Sequence, residues 1–243
     1  MTSRANVPVR TITVLATGYL VGLIAFPQLP GPFLDESPSA RWLVAFTLPT
    51  TALVIHTLFR SLWLHDRIRS GNGAFEATYQ AIVFRILLFV IALHVLVMFE
   101  LTGGLNAIGI HVSAGRLVVV LLGLVCVAIG NLLPRTRPNV AVGVRTQRTL
   151  TNAQLWGQVH RVGGYATVGL GIVIGVTGLV LTHGMLGAVV GAAALFSATV
   201  VFISYRKYTR VRTRRVAGLM EPSRYLRGRD GSWATSPDGG SPA

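Results

Sequence analysis

A single cysteine, Cys126, stands among 243 residues, so no intramolecular disulfide can form, and no Cys-x-x-Cys or Cys/His cluster points to zinc. Charge is scarce as well. Asp, Glu, Lys and Arg together make 12% of the chain, where a soluble domain uses about 25% to cover its surface. Acidic residues are scarcest: 8 against 22 Lys and Arg, for a formal net charge of +14. The chain has no Gly-x-Ser-x-Gly, no His-Glu-x-x-His, no phosphate-cradling glycine loop and no pair of carboxylates on one helical face. Those absences remove the usual devices of hydrolases, zinc proteases and nucleotide enzymes. The expectation is a protein that is not an enzyme, with no catalytic residue, metal or cofactor.

Apolar sequence is what the chain has in abundance. Hydrophobic residues make 51% of it and the mean hydropathy is +0.59. They gather in runs at 11–29, 42–64, 79–101, 117–133, 162–181 and 185–204. Each run supplies close to the ~20 residues a helix needs to cross about 30 Å of hydrocarbon. The runs are continuous rather than alternating, and too long for barrel strands. Backbone groups in lipid must find their partners within the segment, so helices follow. A nucleic-acid binder is also basic, but it carries no uncharged runs of this length, and no direct nucleic-acid partner is expected. The first run lacks a small-residue cleavage site and is soon followed by others, so it reads as a retained span. The fold class predicted is an all-α polytopic transmembrane bundle of six spans, with the lipid bilayer as its first partner.

Charge orients the spans. Arg4 and Arg10 precede the first; Arg60, Arg67 and Arg69 flank the loop after the second. Arg135, Arg137, Arg145, Arg148 and Arg161 lie between the fourth and fifth, and nine Lys and Arg follow the sixth, from Arg206 to Arg229. The opposite side carries Arg41 and Arg116, with Asp35 and Glu36 in its first loop. Nineteen basic residues against two is a positive-inside asymmetry, and it predicts both termini in the cytoplasm. Residues 1–204 then form the membrane domain and 205–243 a basic cytoplasmic tail. The polybasic stretch 205–215 reads as a topology anchor of the kind anionic headgroups attract. From Glu221 onward Pro, Ser, Gly and Asp dominate, which predicts disorder.

Polar residues inside the spans are candidates of a second kind. Arg85 lies about two turns into the third run, where an ionisable group is a functional candidate by default. An arginine can also snorkel to the headgroups, which is the favoured reading. His56 and His94 fall near the middles of spans two and three and could face each other. Such a pair can ligate haem, but a buried His in a bundle more often hydrogen-bonds a neighbouring helix, so no haem is expected. Glu100, His111 and His183 read as solvated at the outer edge. Gly171/Gly175 and Gly187/Gly191 are small-xxx-small pairs, predicted to let spans five and six pack closely across the turn at 182–184.

The densest segment is the cytoplasmic loop 130–164. Pro134 and Pro138 restrict the backbone to an extended connection, and Gly143 admits a conformation other residues avoid. Thr151 with Gln154 three places on forms a capping-box pattern, which predicts a helix starting there and running into span five. On that helix Trp156 and His160 are four apart and share a face. The Trp has an alternative reading as an interface anchor. Asn131, ending the previous span, is placed to hydrogen-bond His160.

The pattern G-N-x-x-P-x-x-x-P-N-x-x-x-G-x-R-T from Gly130, followed by T-L-x-x-x-x-x-W-x-x-x-H-R-x-G-G from Thr149, resembles the signature of the SdpI family. That family comprises bacterial multi-pass membrane proteins typified by an immunity protein against a sporulation-delaying toxin. Two departures stand in the sequence. Phe26-Pro27-Gln28-Leu29-Pro30 is similar to the family's Leu-Pro motif but lacks its His-rich continuation, and Gln147-Arg148 stands where the family has Pro-Trp. The resemblance implies residence in the bacterial inner membrane and protection against a secreted peptide toxin. It also implies signalling, by holding a cytoplasmic transcriptional repressor at the membrane. Carried over onto matching positions, its functional residues are Asn131, Asn139, Gly143, Arg145, Thr149, Trp156, His160 and Arg161. The alternative class is a small membrane transporter or channel. Against it, the spans lack the paired acidic residues and broken helices of coupling-ion sites.

Overall fold

The structure is a computed structural model and describes residues 8–30, 38–70, 76–109, 112–139, 141–180, 183–220, 225–227 and 233–235. Asp35, Glu36, His111 and residues 181–182 of the predicted tight turn lie outside these residues. Eight α-helices are described: α1 (Val9–Ala25), α2 (Pro38–Ser70), α3 (Glu76–Leu101), α4 (Gly104–Ala107), α5 (Ala114–Gly130), α6 (Gln147–Leu150), α7 (Ala153–Val180) and α8 (His183–Met220). Six segments among them are long and apolar enough to cross a membrane: Val9–Gln28, Ala40–His65, Glu76–Leu101, Ala114–Arg135, Ala153–Val180 and Val189–Thr209. The six runs read from the sequence each find their helix.

Two helices overshoot the bilayer. At about 1.5 Å per residue α2 and α8 are roughly 50 and 57 Å long, against about 30 Å of hydrocarbon. The surplus of α8 runs on past Thr209, the end of its span, to Met220 and takes in Arg210, Arg212, Arg214 and Arg215. Beyond it, Tyr225–Arg227 pairs antiparallel with Trp233–Thr235, Tyr225 opposite Thr235.

The helices pack in two groups, α1–α3 and α5, α7 and α8, with α3 touching α5. In the first group, Leu15, Ala52, Trp63, Tyr79, Leu87 and Ile91 form a buried cluster. Close approach of α1 to α2 depends on small residues. A Cβ on Gly22 would stand 2.5 Å from the Ala45 carbonyl oxygen, and one on Gly18 would stand 3.5 Å from Pro49. Pro49, inside α2, has no N–H to return to residue 45. The second group is built on glycine. A Cβ on Gly123 of α5 would meet the Gly171 oxygen at 2.6 Å, and one on Gly130 would meet the Gly164 oxygen at 2.9 Å. Going down α5 by seven residues means going up α7 by seven, the step of antiparallel coiled-coil packing with glycine at the closest points.

This corrects the expectation for the glycines. Gly171 serves the α5–α7 seam, whereas a Cβ on Gly175, Gly187 or Gly191 would meet nothing within 4 Å. The α7–α8 contact rests instead on residues such as Ser197, whose hydroxyl donates to the Ala166 carbonyl at 3.3 Å, and Val201 beside Gly163.

Candidate functional site

The connection from α5 to α7 folds into a braced unit across one end of the bundle. A 3-10 turn at Leu133–Arg135 follows α5, and Pro134 packs on α7 where Gly164 leaves room. Thr136 is thereby set over Trp156, whose indole N–H donates to both the carbonyl and the hydroxyl of Thr136 at 3.1 Å. Trp156 is 1% exposed. It is therefore buried in protein, with its polar edge satisfied, and is not an anchor in the headgroup region.

Asn139 organises the next turn from inside. Its Oδ1 accepts from the backbone N–H groups of Ala141 at 2.9 Å and Val142 at 2.8 Å. Its Nδ2 donates to the carbonyls of Arg137 at 2.7 Å and Val142 at 3.2 Å. A buried side-chain amide that makes all these bonds replaces the secondary structure the segment lacks. Ala141 and Val142 then reach across to pack on the buried cluster of α1–α3. The loop thus contacts both helical groups.

His160 closes the unit. Its ring stacks on Trp156 with centroids 3.9 Å apart and planes 14° apart. Nε2 accepts the Val144 N–H at 3.0 Å, and Nδ1 lies 2.9 Å from the Trp156 carbonyl. Because Nε2 accepts, the proton sits on Nδ1 and donates to that carbonyl. Gly143 has φ +110, and a Cβ there would strike the His160 ring. Both its conformation and its lack of a side chain are needed.

Thr149 is fully buried and ties the last turn. Its hydroxyl donates toward the Val144 carbonyl at 2.8 Å and accepts the Thr146 N–H at 2.9 Å, while the Thr146 hydroxyl accepts the Thr149 N–H at 3.2 Å. The capping box is therefore Thr146/Thr149 on α6, not Thr151/Gln154. Asn152 caps α7, its Oδ1 accepting the Leu155 N–H at 2.9 Å. Thr151 instead bonds back to the Gln147 carbonyl at 2.8 Å.

Of the residues singled out in the sequence, Asn139, Gly143, Thr149, Trp156 and His160 come together in this unit. Asn131, Arg145 and Arg161 are exposed on its outside. The expected Asn131–His160 bond does not form, because both ring nitrogens of His160 are already engaged within the loop. Thr136, Val144, Thr146 and Asn152 were not singled out; the Thr-x-x-Thr pair at 146 and 149 was the available signal.

The intramembrane candidates lie elsewhere. Arg85 donates from Nη1 to the Ala81 carbonyl at 3.0 Å, one turn toward the start of α3. His56 lines a half-open pocket with Arg60, Glu76 and Tyr79, and His94 is not part of that lining. His94 is fully buried. Among the described residues no cluster of three or more His, Cys, Asp or Glu could hold a metal ion.

Residues 135–205 match the family model described as the SdpI/YfhL protein family. The match begins in the 3-10 turn, takes in the braced loop, α6 and α7, and ends in α8; α1–α3 lie outside it. No curated protein and no solved structure matches the chain. With six helices among the described residues long and apolar enough to cross a membrane, the chain is a multi-pass membrane protein, and from the braced loop through α7 into α8 it is similar to the SdpI/YfhL family.

Proposed function

We propose that this protein protects the cell that makes it against an exported antimicrobial peptide, from an SdpI-like position in the bacterial inner membrane with both termini and the braced loop on the cytoplasmic side. The observation that carries the reading is that the family match, which runs on through α7 into α8, takes in this loop, where the backbone is held by buried Asn, Thr, Trp and His side chains far beyond what a connector requires. Exposed Arg145 and Arg161 on the outside of that unit offer a surface for a soluble transcriptional repressor. A guanidinium presents a planar fork to a carboxylate, which Lys cannot reproduce.

The test is expression in a toxin-sensitive bacterium challenged with a panel of secreted peptides. Survival at least tenfold above the vector control is expected against one of them. Arg145→Lys and His160→Ala, at matched membrane levels, are each expected to remove most of that protection. Survival no better than the control against every peptide counts against immunity.

A further inference from the structure

A furrow runs between α7 and α8 on the outside of the bundle, with Val144 and Thr146 of the braced loop at one end and Ala194 of α8 at the other. Along α8 its lining extends from Ala194 to Tyr205, about 16 Å at the helical rise. One leaflet of hydrocarbon is about 15 Å deep. The inner end is apolar, lined by Leu170, Ala194 and Ala198, while the mouth carries the polar groups of Thr146 and Tyr205. At the mouth Arg206 lies over the ring of Phe202, a residue of the lining, with its guanidinium carbon 5.7 Å from the ring centroid.

We infer that this furrow binds one acyl chain of an anionic phospholipid, with the lipid phosphate taken by Arg206 at the mouth. Two observations select this occupant. The length suits a chain that reaches from headgroup to mid-bilayer. The charge is one-signed: between Glu100 and Glu221 there is no Asp or Glu, but there are twelve Lys and Arg. A zwitterionic headgroup would therefore find no carboxylate for its amine in this stretch of the chain, whereas an anionic one meets Arg206. Because Val144 and Thr146 belong to both furrow and braced loop, the lipid would rest against the unit that His160 holds. The inference does not depend on the immunity reading.

The experiment is native mass spectrometry of the full-length protein in detergent, titrated with palmitoyl-oleoyl phosphatidylglycerol and, separately, with the phosphatidylethanolamine of the same chains. The wild type is expected to retain phosphatidylglycerol at least fivefold over phosphatidylethanolamine. Ala198→Phe, which fills the furrow, should lower that retention about fivefold; Ala194→Leu makes the same test with a smaller side chain. Arg206→Gln should bring the two lipids to near-equal retention. Equal retention of both lipids by the wild type would overturn the inference, as would undiminished phosphatidylglycerol binding in both furrow-filling variants. So would displacement of the lipid by glycerol phosphate, which has no acyl chain, or a stoichiometric polypeptide copurifying in its place.

Discussion

Position 143 shows how much a single residue carries. Gly143 holds φ at +110 and leaves the space the His160 ring occupies. Replacing it with Ala imposes a backbone conformation that costs about 1–3 kcal/mol, before any clash is counted. Gly143→Ala is therefore expected to lower the thermal midpoint in detergent by several degrees and to loosen the loop, as read by limited proteolysis between residues 137 and 148. His160→Ala leaves the Val144 N–H without its acceptor, a penalty of about 1–3 kcal/mol if the group stays dry, so a similar fall in midpoint should follow. Arg145→Lys keeps the charge at an exposed position, so its midpoint should stay within a degree of wild type. A large fall in Arg145→Lys would make Arg145 a structural residue and remove it from the proposed docking surface. At this scale the sequence was partly legible. The four-residue spacing of Trp156 and His160 placed them on one face, and the ring stack bears that out. The capping residues were misassigned because Thr146/Thr149 and Thr151/Gln154 both have the required spacing, and only the backbone path decides which pair turns inward.

Helix pairing sets the next scale. Every span is apolar all round, so hydrophobic pattern cannot say which face meets which neighbour, and in lipid there is no hydrophobic driving force to choose it. Small residues mark close approach without naming the partner. The glycines of α7 were expected to serve α8, but Gly164 and Gly171 face Gly130 and Gly123 of α5 in antiparallel register. Gly171→Leu should therefore separate α5 from α7 and abolish monodisperse extraction or lower the midpoint by 10 degrees or more. Gly187→Leu and Gly191→Leu, where a Cβ meets nothing within 4 Å, should be silent. Comparable damage from Gly187→Leu would show that α8 uses that face after all. The fit of Gly22 against the Ala45 carbonyl was also invisible in sequence, since it depends on α1 lying against the carbonyl that Pro49 leaves without its usual N–H partner.

For the whole molecule, the basic ends of α2 and α8 and the basic loop share one side of the bundle, because consecutive spans run antiparallel. Single cysteines introduced on a Cys126→Ala background test which side faces the cytoplasm. Positions 106–109 and 112–113 should react with an impermeant reagent in whole cells, while 138–149 should react only after lysis. Reaction of 138–149 from outside would reverse the orientation and with it the proposed docking of a cytoplasmic regulator.

By itself the sequence determined the class, the number of spans and the place of the signature. Length and apolarity must match the bilayer, charge must stay on one side, and the residues of a family signature stay legible in linear order. Only the tertiary structure decided the rest. The α5–α7 glycine seam and the reach of Ala141 and Val142 onto the α1–α3 cluster depend on which surfaces pack together, and the choice of Val144 over Asn131 as the partner of His160 depends on which donor the packed backbone brings to Nε2. A buried donor takes the partner that the packed backbone brings within about 3 Å, and that neighbour is not written in the spacing of the residues.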